Sequence, residues 1–199
     1  MRRRKDPALI KERHAAADAA SVLEAAARSL SGAPRSKRSL VERLITAGYP
    51  VEHVITATDR LEAVGIIDDE RLARSLVESR DRSRQRGDRA LAQELRRRGV
   101  PEEIAVRVLA ERSDEAEGEP LREGEQTPLS AEERAAYAAA AKVRLRGGDA
   151  HAEVQRVAQA LARRGFPSGL SWRIASERVA GLGEGSLPPQ PPEGLGEAD

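Results

Sequence analysis

One pattern occurs three times in this chain: an aliphatic residue, three others, leucine, three others, glycine, an apolar residue and proline. Its copies are Leu40, Leu44, Gly48, Tyr49, Pro50; Leu91, Leu95, Gly99, Val100, Pro101; and Val157, Leu161, Gly165, Phe166, Pro167. Two aliphatic residues four apart stack on one face of a helix. Glycine at the end of such a helix supplies the left-handed residue that stops it. The apolar residue after it tucks back against the core, and proline opens a new helix at the first helical position, where a missing N–H costs nothing. The pattern therefore predicts a helix, a glycine stop, a proline start and a second helix, three times over.

The segments around each copy carry the same helical spacing. After the prolines come Val54, Ala57, Leu61 and Val64; Ile104, Val108 and Leu109; Leu170, Ile174 and Ala175. Before the paired helix come Leu23, Ala26, Ala27 and Leu30; Leu72, Ala73, Leu76 and Val77; Ala135, Ala138 and Ala139. Each unit then holds three helices, too few to bury a stable core alone, so neighbouring units must stack. Ser36 and Ser39 are candidate caps for the second helix of the first unit, with Ser39 and Glu42 as a capping box, and Asp68 or Asp69 for the helix that opens the second. Asp6 and Pro7 can start a further helix. The boundaries that follow are a basic, helical extension at 1–20, repeats at 21–67, 68–112 and 131–181, an acidic flexible linker at 113–130, and a Gly/Pro/Glu tail at 182–199 expected to be disordered.

Composition agrees with an all-helical chain. Hydrophobic residues make up 39% and aromatic residues 2%, so the core rests on Leu, Val, Ile and Ala. Cysteine is absent, which excludes disulfides and thiolate chemistry and fits a reducing cytoplasm. The basic start, Met1–Lys5, is followed by no apolar stretch of the kind a secretory signal has, and no run approaches the ~20 apolar residues of a membrane span. A formal net charge of +1 conceals blocks. Arg80–Arg98 carries eight arginines against Asp81, Asp88 and Glu94, and Ser113–Gln126 carries six acids against Arg122.

No motif of catalysis appears. His14, His53 and His151 are far apart, none has a second metal ligand at helical spacing, and all three read as surface histidines. Gly147 and Gly148 precede Asp149 without the lysine of a phosphate loop. Asp68, Asp69 and Glu70 could serve a nuclease as Mg²⁺ ligands only with partners elsewhere at fixed geometry; they read instead as acids at a helix start, where they complement the helix dipole. Neither cofactor nor metal is expected. The basic residues are the strongest candidates. Arg80, Arg82, Arg84, Arg86 and Arg89 straddle Gly87; Arg96, Arg97 and Arg98 end the next helix; Lys142, Arg144, Arg146, Arg163 and Arg164 decorate the third unit. They read either as a solvated face with cations at helix C-termini or as a strip for an acidic protein surface or for phosphate.

Ile67-Asp68-Asp69-Glu70-Arg71-Leu72-Ala73 resembles the L-D-D-x-R-F-A stretch of RecX regulatory proteins. Arg80, Arg84, Gly87, Leu91, Glu94, Leu95, Gly99 and Val100 are similar to that family's R…R-x-x-G…I-x-x-E-L…K-G-I run. Ser36, Leu40 and Leu44 match its R-S-x-x-E-L-x-x-x-L, and Leu161–Phe166 its L-x-x-R-G-[FY]. Leu72 stands where the family has Phe, and Ser39 where Glu is frequent. The resemblance runs from about Ala20 to Val179. It implies three tandem three-helix repeats in an elongated modular arc. It also implies a monomeric, cytoplasmic, non-enzymatic regulator that binds the RecA recombinase filament and inhibits its ATPase and strand exchange in recombination and DNA repair. Two other readings compete: a helical protein that binds single- or double-stranded DNA directly, and a generic helical-repeat scaffold.

Overall fold

In the computed structural model the described residues, 7–114 and 129–181, form ten α-helices and no strand. The basic start, most of the acidic linker and the tail lie outside the described residues. After α1 (Pro7–Ala15) the helices come in threes: α2 (Ala19–Gly32), α3 (Lys37–Thr46) and α4 (Val51–Ala63); α5 (Asp69–Ser83), α6 (Asp88–Arg97) and α7 (Glu102–Asp114); α8 (Ala131–Ala141), α9 (Ala150–Ala162) and α10 (Ser168–Ala180). They assemble into two compact units. Of the described residues, one comprises those up to Leu76 with Glu94–Val108; the other comprises Val77–Gln93 with those from Leu109 onward.

The three repeated corners close alike. Gly48, Gly99 and Gly165 take φ of +96°, +79° and +88°, which only glycine adopts without strain. At each, the glycine N–H donates three residues back and the next N–H donates five residues back: Tyr49 to Leu44 O at 3.2 Å, Val100 to Leu95 O at 3.1 Å, Phe166 to Leu161 O at 3.4 Å. This is the Schellman arrangement, and its apolar residue folds onto the leucine it bonds. Val100 and Phe166 are buried, Tyr49 half-buried. The prolines sit one residue earlier than predicted. Pro50 and Pro167 are the caps of α4 and α10, in extended conformation, and α7 starts at Glu102 after Pro101.

The capping residues also resolve. Ser36 caps α3 by accepting from Ser39 N at 3.1 Å; Glu42 pairs with Arg38 at 2.9 Å, so the predicted Ser39–Glu42 box does not form. A capping box forms instead at Ser130 and Glu133 of α8. Asp68 caps α5 through Arg71 N at 2.8 Å, while Asp69 accepts from Lys37 N at 3.0 Å.

In the first unit the core gathers Val22, Ala26, Leu40, Leu44, Val54, Ala57, Leu61 and Ile67; in the second, Val154, Val157, Leu161, Phe166 and Ile174 pack with the alanines of α8. Leu91 and Leu95 are fully buried. Three residues assigned to the core from spacing are exposed. Val64, at 63%, falls on the cap of α4 rather than on its apolar face, and Ala27 and Ala138 face outward from α2 and α8. No described helix is long and apolar enough to cross a membrane.

Repeats meet through their glycines. In the first unit Ser36 Oγ donates to Arg98 O at 2.6 Å, and a Cβ on Gly99 would stand 2.7 Å from that hydroxyl. In the second, Gly87 N donates to Arg164 O at 3.1 Å, and a Cβ on Gly165 would stand 2.5 Å from Ala90 Cβ. Gly99→Val combines left-handed strain with a clash at a buried hydroxyl. It should cost at least the ~1–3 kcal/mol of a strained backbone, read as a lower denaturation midpoint with an unchanged slope; a midpoint equal to the parent's would contradict the helix-stop role.

Candidate partner-docking site

The second unit brings together two basic segments that are distant in sequence. Because Gly87 donates to Arg164 O, the 84–89 corner lies against the end of α9, and Lys142 Nζ reaches Gln85 Oε1 at 2.6 Å. Arg84, Arg89 and Arg163 are exposed there; Arg86 and Arg80 are half-buried and engaged by neighbours. Arg82 is exposed and lies 3.9 Å from Glu78. Arg164 turns inward and donates to Ala139 O at 3.0 Å, so this guanidinium serves the fold. Gln85 takes φ of +41°, uncommon for a residue with a side chain. Its amide also donates to Asp81 O at 3.3 Å, which fixes the loop carrying Arg84 and Arg86.

Arg144 and Arg146 are exposed on the loop between α8 and α9. There Arg156 donates to Arg144 O and pairs with Glu153, and Arg178 donates to Val143 O at 2.7 Å. Burial opposes ionisation of Glu153, yet Arg156 and the Arg146 N–H hold its carboxyl below the usual range. Arg96, Arg97 and Arg98 belong to the first unit. They end α6, with Arg98 3.9 Å from Glu94 and Arg97 engaged by a neighbour, the arrangement expected of cations at a helix C-terminus.

The charged group that holds this corner in place is one the sequence reading missed. Arg112 of α7 has a side chain only 6% exposed. It grips Asp81 with two bonds, at 2.9 and 2.7 Å, and also pairs with Asp88; Glu132 accepts from Asp88 N at 2.8 Å. One arginine thus ties α5, α6 and α7 together, and Glu132 adds α8. Burial pushes the Asp88 and Glu132 carboxyls above their ordinary values. Burial works against the Arg112 charge, but Asp81, Asp88 and Glu132 hold it on. The clue in the sequence was spacing: Ala105, Val108 and Arg112 share one helical face, and the first two are buried.

Two histidines read as surface residues are half-buried and bonded. His14 Nδ1 donates to Ala47 O at 2.7 Å and His53 Nδ1 to Ala17 O at 3.1 Å. Backbone carbonyls only accept, so Nδ1 is the donor in each ring. His151 is exposed and tilted against Trp172. Among the described residues no group of three or more His, Asp or Glu could hold a metal ion.

The fold and its surface define a helical protein built from three-helix repeats, with a basic corner on the second unit. Residues 68–109 match the family described as RecX, second three-helix domain. Among curated proteins the chain is 34% identical to the regulatory protein RecX of Streptomyces coelicolor, over 79% of this chain and 77% of that one. It is also 34% identical to the one of Thermobifida fusca, over 84% and 83%. A crystal structure of RecX from Lactobacillus salivarius shares the fold with a TM-score of 0.66 at 17% identity, covering 80% of this chain and 95% of the other. A second RecX crystal structure gives 0.63 at 23% identity, covering 78% and 72%. The chain belongs to the RecX family of regulatory proteins.

Proposed function

We propose that this protein docks on the filament of the RecA recombinase and restrains its ATP hydrolysis and strand exchange, acting in the cytoplasm as a monomer without catalysis of its own. The observation that carries the reading is the basic corner of the second unit, where exposed Arg84, Arg89 and Arg163 come from two repeats joined at Gly87 and Arg164. Arginine binds carboxylates and phosphates in a bidentate manner, so one corner can engage either an acidic recombinase surface or its bound DNA. A protein built of linked repeats gains further: each contact is weak alone, but once one repeat is bound the next is held at high effective concentration. A protein bound in this way biases the filament toward whichever state fits it better.

A strand-exchange assay with the cognate recombinase, run with and without the protein, tests the proposal. The expected result is slower product formation and reduced ATPase. Unchanged exchange, accompanied by steeply salt-dependent binding to DNA alone, would favour the direct DNA-binding reading.

A further inference from the structure

The loop between α8 and α9 collects positive charge that the 84–89 corner does not use. Its side chains alternate, as in any extended segment. Val143 and Leu145 are half-buried and pack on the core of the second unit, while Arg144 and Arg146 are exposed. Arg156 and Arg178 close on the same loop through the carbonyls of Arg144 and Val143. Two acids stand nearby, and both are committed. Glu153 pairs with Arg156 and accepts from Arg146 N at 3.0 Å, and Asp149 caps α9 through Ala152 N at 2.9 Å. Among the described residues the Arg144 and Arg146 guanidiniums form no hydrogen bond or ion pair. Burial and the charge of Arg156 push the Arg178 guanidinium below its ordinary value, as expected where cations crowd. Gly147 and Gly148 follow, and a Cβ on either would meet nothing within 4 Å, so the loop is open to an approaching chain.

We infer that residues 182–199 fold back onto this loop, with Glu184 against Arg144 and Arg146, and occupy it as an intramolecular competitor of other anions. Three observations name this occupant. α10 ends at Ala180, and Arg178 in its last turn bonds Val143 O at 2.7 Å, so the chain leaves the helix beside the loop. The segment that leaves carries Glu184, Glu193, Glu197 and Asp199 and no basic residue, the complement of a loop with more cations than anions. Glu184 is three residues past Gly181; at ~3.6 Å per residue it stays within about 11 Å of that glycine. An exposed carboxylate–guanidinium pair is worth little by itself. Tethered so closely, the acid is present at a millimolar effective concentration, and the three later acids add to it. Lys142 Nζ bonds Gln85 Oε1 at 2.6 Å and carries the basic strip on to the 84–89 corner. An acidic ligand that spans loop and corner, whatever its identity, must first displace the tail.

The test uses the full chain, with hexaglutamate as the anion probe. The tail variant combines Glu184→Gln, Glu193→Gln, Glu197→Gln and Asp199→Asn, and the loop variant combines Arg144→Gln and Arg146→Gln. A control neutralises four exposed acids of the first unit, Glu24, Glu52, Glu102 and Glu103, to glutamine. By isothermal titration the tail variant should bind the peptide about tenfold more tightly than the parent, the scale set by self-competition at millimolar effective concentration. The control should bind like the parent; if net charge alone set the affinity, it would tighten equally. In the loop variant the tail substitutions should give no gain. The chain has no cysteine, so Ser186→Cys carries a single spin label. That label should broaden the amides of residues 143–148, and the broadening should drop sharply once Arg144 and Arg146 are glutamine. The inference is overturned if the tail variant binds no better than the parent or if the control tightens as much. It is equally overturned if the gain survives in the loop variant, or if the broadening ignores the two arginines.

Discussion

Replacing Arg112 with methionine should lower the stability of the protein by about 3–5 kcal/mol, the usual cost of removing one partner from a buried ion pair. Methionine approximates the volume of the arginine stem, so the loss reports charge rather than a cavity. Without the guanidinium, Asp81, Asp88 and Glu132 lose the buried cation they face. The pH dependence identifies the cause. Asp88 and Glu132 have carboxyls raised above their ordinary 3.8 and 4.5. A raised acid contributes stability that is complete below its unfolded value and is lost as pH rises through its folded value. Burial makes their ionised forms costly, Arg112 offsets part of that cost, and removing Arg112 raises both carboxyls further. The deficit of the variant should therefore shrink on acidification from neutrality through the raised values, as the two acids take up protons. Over the same interval the parent gains less, because Arg112 holds its Asp88 and Glu132 carboxyls closer to their ordinary values. A variant that melts like the parent at neutral pH, or whose deficit is the same at every pH, would rule out this charge balance.

Reversing Arg84, Arg89 and Arg163 to glutamate should abolish inhibition of the recombinase ATPase. All three are exposed, and surface substitutions of this kind usually stay within ~0.5 kcal/mol each; the melting temperature should move little. Arg86 and Arg164 are left untouched because both are engaged within the fold. The charge changes by six in a small area, so a partner that offers carboxylate or phosphate is repelled rather than merely released. A folded variant that inhibits fully would move the interface to Arg144 and Arg146, or to Arg96 and Arg98 on the first unit. A variant that keeps inhibition but loses binding to naked DNA, with a shallower salt slope, would assign these arginines to phosphate alone.

The helices and their stops were legible because local physics decides them. Leu44, Gly48 and Tyr49 specify a Schellman turn whatever surrounds them, and the same holds at Gly99 and Gly165. The cap of α3 was half legible: Ser36 and Ser39 are both good caps, and the choice fell to Ser36 because its hydroxyl also reaches Arg98 O, 62 residues away. Arg112 was hidden for the same reason. A charged residue on an apolar helical face looks like an exception until Asp81 and Asp88 are seen beside it, and that proximity is tertiary. The basic corner stood out as a charge run, but its division did not. Sequence could not separate Arg163, which faces solvent, from Arg164, which bonds Ala139 O, since adjacent residues on a helix end differ only in what the rest of the fold places beneath them.

The repeat junctions carry a consequence for how this chain can change over time. The first junction is keyed by a hydroxyl, Ser36 on the carbonyl of Arg98; the second by a bare amide, Gly87 on the carbonyl of Arg164. The keys are not interchangeable. A serine at 87 would drive its Cβ into the Gly165 carbonyl, and a glycine at 36 would leave the Arg98 carbonyl without its donor and α3 without its cap. The repeats therefore cannot be shuffled, duplicated or deleted as equivalent modules. Their order is written at the joints, and a rearranged gene would have to rewrite both sides of a joint together.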